Sequence, residues 1–194
     1  MNKNIYSKDE YLNLDVKKDE VVNIYHFIYN SSCQVNINMI GKNAKVYYYL
    51  SALNRDDNNC HIQINHLQSQ TESYITTHGV NACDNKLLFD VTSVVPKTSF
   101  KCICNQDNMI VNVTNGVSKI MPKLLIENYD TSSAHSAYIG GFKDEALFYL
   151  ASRGISYEVA FEMLIQGFLL NEADKDEKIV QNLLSKVGDV KWIK

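Results

Sequence analysis

Residues 134–156 read AHSAYIGGFKDEALFYLASRGIS, and within this stretch the chain changes its periodicity. After Gly140 and Gly141 the apolar residues fall at helical spacing. A helix over 144–153 places Leu147, Leu150 and Ala151 on one face, and Gly154 is suited to the left-handed position that ends a helix. Ser156 is placed to cap a second helix running to about residue 170, where Val159, Phe161, Met163, Ile165 and Phe168 give a wide apolar surface that wants partners on more than one side. A third helix is expected from Asp174, with Glu177 in capping-box spacing and Ile179, Val180, Leu183, Leu184 and Val187 along it before Gly188. The chain closes on an exposed-looking Lys191-Trp192-Ile193-Lys194.

Upstream of the break the pattern is that of short strands. From residue 21 to 129 run VVNIYHFIY, QVNINMI, KVYYYLSAL, HIQINHL, SYITTHGV, KLLFDVTSVV, SFKCICNQ, MIVNVT and KLLIENY, rich in Val, Ile, Tyr and Thr. In HIQINHL, Ile62 and Ile64 share one face while His61, Gln63 and Asn65 share the other, as a half-buried strand requires. The runs recur every 10 to 15 residues or so with Asn, Asp, Gly and Ser between them, which suits a sandwich, a barrel or a β-solenoid alike. Residues 1–20 are charged and weakly patterned and are expected to form a leader, loose or as a short surface helix. The division is therefore a leader over 1–20, a β core over 21–139 and a helical region over 140–194.

Composition narrows the function. With 194 residues there is enough chain for one unit with a real core, and a formal charge of -3 offers no basic excess for neutralising phosphates, so nucleic acid is not an expected partner. No run approaches the roughly 18 apolar residues of a membrane span, and MNKNIYSKDEYLNLD lacks the apolar stretch of a signal peptide, so the expected address is the cytoplasm, away from membranes. The five cysteines, Cys33, Cys60, Cys83, Cys102 and Cys104, are odd in number and scattered, which reads as reduced thiols. The Asn-x-Ser/Thr triplets at Asn30 and Asn112 are discounted as glycan acceptors in an Asn-rich chain without an export signal.

Specificity comes from the second half. HGVNACDNKLLFDV, FKCICNQ, KIMPKLLIENYD and the block quoted at the outset carry Pro122, Leu124, Asp130, His135, Gly140 and the run Ala-Leu-Phe-Tyr-Leu-x-Ser-Arg-Gly-Ile over 146–155. Over residues 78–170 the chain resembles the C-terminal half of the SufB/SufD family of iron–sulfur cluster assembly proteins. The resemblance implies a right-handed β-helix followed by helices. It implies pairing through the β-helix with a SufB-like protein or a second copy, and docking of SufC, an ABC-type ATPase, through the C-terminal helices. Nucleotide chemistry would belong to SufC, in keeping with the lack of any Gly-x-x-x-x-Gly-Lys-Ser/Thr phosphate loop in this sequence. The protein itself is then expected to be no enzyme, with no catalytic residues and no stably bound cofactor, handling iron or a cluster only transiently.

The same resemblance supplies candidate residues. SufB-like proteins flank the histidine with glutamates and SufD-like ones place a cysteine two residues before it; here the stretch is Ser132-Ser133-Ala134-His135-Ser136, so the chain is SufD-like with Ser133 at the cysteine position. His135 is the carried-over ligand for iron or a cluster at a subunit interface, since a hydroxyl is a poor soft-metal ligand and an imidazole a good one. The ATPase would meet Glu145, Leu147, Phe148, Tyr149, Arg153, Gly154, Phe161 and Phe168.

Other features read as structure. Cys102 and Cys104 share a strand face but lack a second pair, so they read as small core residues. His61 and His66 fall on opposite faces of one strand and cannot ligate jointly. Tyr47, Tyr48 and Tyr49 alternate in and out of the sheet and are placed to stack along a solenoid face. Two other function classes stay in view. One is a stand-alone homodimer that has lost assembly activity, in keeping with Ser133. The other is a polysaccharide-acting β-helix enzyme, which the scattered acids Asp56, Asp57, Glu72, Asp84, Asp90 and Asp107 make the weakest reading.

Overall fold

The fold is described from a computed structural model that covers residues 2–170 and 177–188, with the backbone alone at 177–179. Eleven strands come first: β1 (Asn2–Ser7), β2 (Tyr11–Val16), β3 (Val21–Tyr29), β4 (Cys33–Met39), β5 (Lys45–Asn54), β6 (Asn58–His66), β7 (Glu72–Asn81), β8 (Lys86–Val95), β9 (Cys102–Asn112), β10 (Val117–Ile126) and β11 (Thr131–Gly140). Three helices follow, α1 (Asp144–Ser152), α2 (Tyr157–Leu170) and α3 (Glu177–Gly188).

Odd-numbered strands form a six-stranded sheet in the order β1-β3-β5-β7-β9-β11, and even-numbered ones a five-stranded sheet, β10-β8-β6-β4-β2. Every pairing is parallel, each strand lying beside the one two places on, so the chain crosses from sheet to sheet and back in each coil. This is a β-solenoid. Alternation then dictates what is inside: Val22, Ile24 and Ile28 of β3 and Val35, Ile37 and Met39 of β4 point into the same core as Val46, Tyr48, Ile62, Ile64 and Phe89.

The first two strands correct the reading of residues 1–20 as a leader. Ile5 of β1 and Leu12 and Leu14 of β2 pack on the core, and the strands pair in register with β3 and β4. Residues 11–16, YLNLDV, alternate cleanly with Leu12, Leu14 and Val16 turned inward, while in β1 the apolar residue packed on the core is Ile5. Two further differences are local. The runs 99–106 and 109–114 join into the single strand β9, since Gln106 and Asn108 are polar side chains accepted into the interior. Strand β11, TSSAHSAYIG, carries small polar residues with no alternation to announce it.

Parallel stacking also explains the abundant asparagine. On the outer face of the smaller sheet, Asn36 donates to Asn13 at 3.0 Å, Asn38 to Asp15 at 3.0 Å, and Asn65 to both Asn36 and Asn38 at 3.0 and 2.9 Å. The tyrosines stack likewise on the larger sheet, Tyr6 on Tyr25 and Tyr25 on Tyr49 with centroids 5.2 Å apart, and Tyr47 on Tyr74 at 5.0 Å. At the bend leading into that sheet, Asp19, Asn43, Gln70 and Lys101 take left-handed φ values of 58°, 60°, 61° and 56°. They form one column, each two residues ahead of the in-register positions Val21, Lys45, Glu72 and Ile103. Beside it Gly41 has no room for a side chain, because a Cβ there would lie 1.8 Å from the Lys18 nitrogen.

Helices α2 and α3 cover part of the larger sheet's outer face. Ile165 and Leu169 of α2 and Leu183 and Val187 of α3 pack with Phe27, Leu53 and Val80. The last carbonyls of α2 are met by the sheet: Ser51 Oγ donates to Leu169 O at 2.6 Å and His78 Nδ1 to Phe168 O at 2.8 Å. Gly154 ends α1 with φ 81°, in a Schellman pattern where Ile155 N–H reaches Leu150 O and Gly154 N–H reaches Ala151 O. Ser156 Oγ accepts from Val159 N–H at 3.4 Å at the start of α2, as its capping role requires. The capping box expected at Asp174 and the tail 191–194 lie outside the described residues.

Candidate functional site

Along the solenoid axis the interior changes character. Three inward columns of the larger sheet run coil by coil, in register: Val22, Val46, Ser73, Cys104 and Ser133; Ile24, Tyr48, Ile75, Gln106 and His135; His26, Leu50, Thr77, Asn108 and Ala137. The early coils are mainly apolar, whereas by β9 all three positions are polar or sulfur-bearing and buried. These buried groups bond to one another, as burial demands. Gln106 Nε2 donates to Ser93 Oγ at 2.9 Å and to the Lys123 carbonyl at 3.2 Å, Thr77 Oγ1 to Asn108 Oδ1 at 2.9 Å, and Asn108 Nδ2 to Ser136 O at 3.0 Å.

The final coil is open. Ser133, His135 and Ala137 continue the inward columns but are exposed, as is nearly all of β11, because no strand stacks beyond it among the described residues. His135 therefore stands on the rim of the solenoid's mouth, with Ser133 beside it in the same strand and Cys104 directly beneath Ser133. On the outer side a depression lined by Tyr74, Thr76, Asn105, Asp107, Ala134, His135 and Ser136 adjoins the rim, with the Ser136 hydroxyl donating to the Asp107 carboxylate.

Just inside lies a thiol–imidazole pair that sequence reasoning set aside. Thr71 Oγ1 donates to Gln68 O at 2.9 Å, so at 2.8 Å it accepts from His66 Nδ1–H. That leaves the His66 Nε2 lone pair facing Ser73 Oγ at 2.8 Å and Cys104 Sγ at 3.3 Å. Burial holds His66 down at about 4, hence neutral at pH 7, and pushes the Cys104 thiol up to about 12. Cys102 and Cys104 are buried, and His61 faces outward, 3.4 Å from Asp90, on the side of the sheet opposite His66. Sequence spacing gives no signal of such a pair, since His66 ends β6 and Cys104 lies 38 residues on in β9; only the stacking of the coils brings them together. All five cysteines are unbridged, and among the described residues no three His, Cys, Asp or Glu side chains converge as a metal-binding group.

The helical candidates separate into two sets. Glu145, Phe148, Tyr149, Arg153 and Gly154 are exposed, Phe148 to 75 %, with the Arg153 guanidinium 5.2 Å from the centre of the Tyr149 ring. Leu147 is buried, while the half-buried Phe161 packs edge-on to Phe142 at 5.7 Å and the half-buried Phe168 stacks on His78 at 4.4 Å, so these three also help to hold the helices in place. Val159 and Met163, part of the wide apolar surface expected of the second helix, are exposed. The wide apolar surface of α2 is thus split, with Ala160, Ile165 and Leu169 turned inward.

With this geometry in place, comparison with known proteins is decisive. Residues 13–168 match the family described as SUF system FeS cluster assembly, SufBD core domain. The chain belongs to the SufBD family. It is 41% identical over 69 residues to iron-sulfur cluster assembly protein SufD of Escherichia coli (strain K12), covering 34% of this chain and 16% of that protein. Identity to Bacillus subtilis (strain 168) SufD is 31% over 108 residues, 55% of this chain and 25% of the relative. A SufBD family protein of Synechocystis sp. is 26% identical over 163 residues, 77% of this chain and 34% of its own length. Among these three relatives the SufBD chain thus spans between 16% and 34% of the full length. The match reaches into β2, so the family likeness includes most of the early coils as well as the C-terminal block. No helix among the described residues is long and apolar enough to cross a membrane.

Proposed function

We propose that this chain is a non-enzymatic, SufD-like scaffold subunit of a cytoplasmic iron–sulfur cluster assembly complex. The observation that carries the reading is the open end of the solenoid: β11 is exposed along nearly its whole length, and His135 tops an inward column with nothing above it among the described residues. A sheet ending in an unpaired strand is a template for another strand, and a SufB-like protein, or a second copy, would complete it. His135 would then offer one imidazole nitrogen to iron or a cluster, carried as cargo, whose remaining ligands come from the partner. The exposed apolar residues of α1 and α2 would dock a SufC-type ATPase, which supplies the nucleotide chemistry.

A second reading, a divergent homodimer without assembly activity, is favoured by one observation: the rim position beside His135 carries the hydroxyl of Ser133. Capture experiments separate the two. Purified chain is presented to the SufC-type ATPase and the SufB-type protein of the same organism, and the mass and iron content of what elutes are recorded. A complex with both proteins is the expected result; a homodimer that ignores both leaves the second reading.

A further inference from the structure

We propose that Gln106 is a positioning residue for His135: its side-chain oxygen accepts an N–H of the His135 ring, fixes the tautomer and turns the other ring nitrogen out of the mouth. The pairing itself needs no partner; its use in presenting a metal ligand rests on the function proposed above.

Gln106 is 3 % exposed, and its two amide hydrogens are spent on Ser93 Oγ and on the Lys123 carbonyl. A carbonyl can only accept, so the amide cannot be flipped, and Oε1 is fixed in place. Among the described residues Oε1 has no hydrogen-bond partner. A buried acceptor left bare is costly, which calls for a donor. Within the column the neighbours of Gln106 are Ile75, which has no donor, and His135, which carries a ring N–H in either tautomer. Parallel strands lie about 4.8 Å apart, so in-register side chains touch, and the exposed His135 ring has only to rotate about its own side-chain bonds. An imidazole that ligates a metal through one nitrogen characteristically donates the other N–H to an oxygen acceptor of this kind.

The test is nitrogen-15 NMR of the histidine ring in the full chain, at a pH where His135 is neutral, for wild type and Gln106→Leu. Wild type is expected to favour one tautomer of His135. Gln106→Leu should shift the tautomer ratio by roughly three- to tenfold, the equivalent of one net hydrogen bond. A wild-type ring with the free-imidazole ratio overturns the proposal without recourse to any variant, as does an unchanged ratio in folded Gln106→Leu. If the ratio shifts as expected while wild type captures no SufB-type protein, the pairing stands and the interface reading falls.

Discussion

The ring of His78 lies flat on that of Phe168, centroids 4.4 Å apart and planes 12° apart, while His78 Nδ1 donates to the Phe168 carbonyl at 2.8 Å. One side chain of β7 thus holds both the side chain and the backbone of α2's last turn. Phe168→Ala should remove the stacking and open a partly buried gap, costing on the order of 2 to 3 kcal/mol. Hydrogen exchange should show α2 amides opening faster while those of β3, β5 and β7 keep their protection. Equal loss throughout would mean that helices and solenoid unfold as one unit.

Stability should fall in mild acid. His66 takes up a proton near 6.5 when unfolded but only near 4 when buried, so its contribution is complete above pH 6.5 and is lost as pH drops toward 4, by up to about 3 kcal/mol. Burial lowers His26 as well and adds loss in the same direction. Urea midpoints measured between pH 7 and 4.5 should show the decline, and His66→Gln should be less stable at pH 7 yet lose less across that window. A parallel decline in the variant would assign the acid sensitivity elsewhere.

The left-handed column gives a contrast between two substitutions at one position. Asn43 has φ 60° and donates to Asp19 at 2.9 Å. Asn43→Ala keeps a Cβ in the disfavoured region and loses that bond, for a cost of about 1 to 2 kcal/mol. Asn43→Gly loses the bond but not the conformation, so its melting temperature should lie between those of wild type and Asn43→Ala.

At the helical face, Phe148→Asp should leave the melting temperature within a degree or so, because a side chain so exposed contributes little to the fold. Capture of the SufC-type ATPase should drop at least tenfold, as expected for an aromatic anchor at the centre of a docking surface. Leu147→Asp should instead destabilise the helical region, since Leu147 is buried. Undiminished capture by Phe148→Asp would move the docking surface elsewhere.

Much of the fold was legible where one strand face is buried and the other wet. The runs 21–29 and 86–95 coincide with β3 and β8, because alternation is strongest where strands are stacked on both sides. Legibility fails at the two ends of the stack for the same physical reason. Among the described residues strands β1 and β11 each pair on one side only, so their inward positions tolerate Lys3 or Ser133 and the alternation fades. The interior of β9 misled in another way: Gln106 and Asn108 are buried but hydrogen-bonded, and a sequence pattern that counts only apolar residues reads them as a break.

Of the candidate site, His135 came from family resemblance, and its position at the end of a column required the register. His66 and Cys104 are 38 residues apart in sequence and meet only because the coils stack in parallel. Phe168 and Leu147 show the limit of helical periodicity. It identifies an apolar side chain, but which part of a wide apolar surface faces the solenoid depends on where Phe27, Leu53 and Val80 are presented.

The most direct test is hydrogen exchange of the chain with and without the SufB-type protein of the same organism. Amides of β11, Thr131–Gly140, should gain protection on mixing, while those of β1 at the opposite end remain unchanged. A complex that forms without protecting β11, or no complex at all, would contradict the assignment of the open end as the pairing surface.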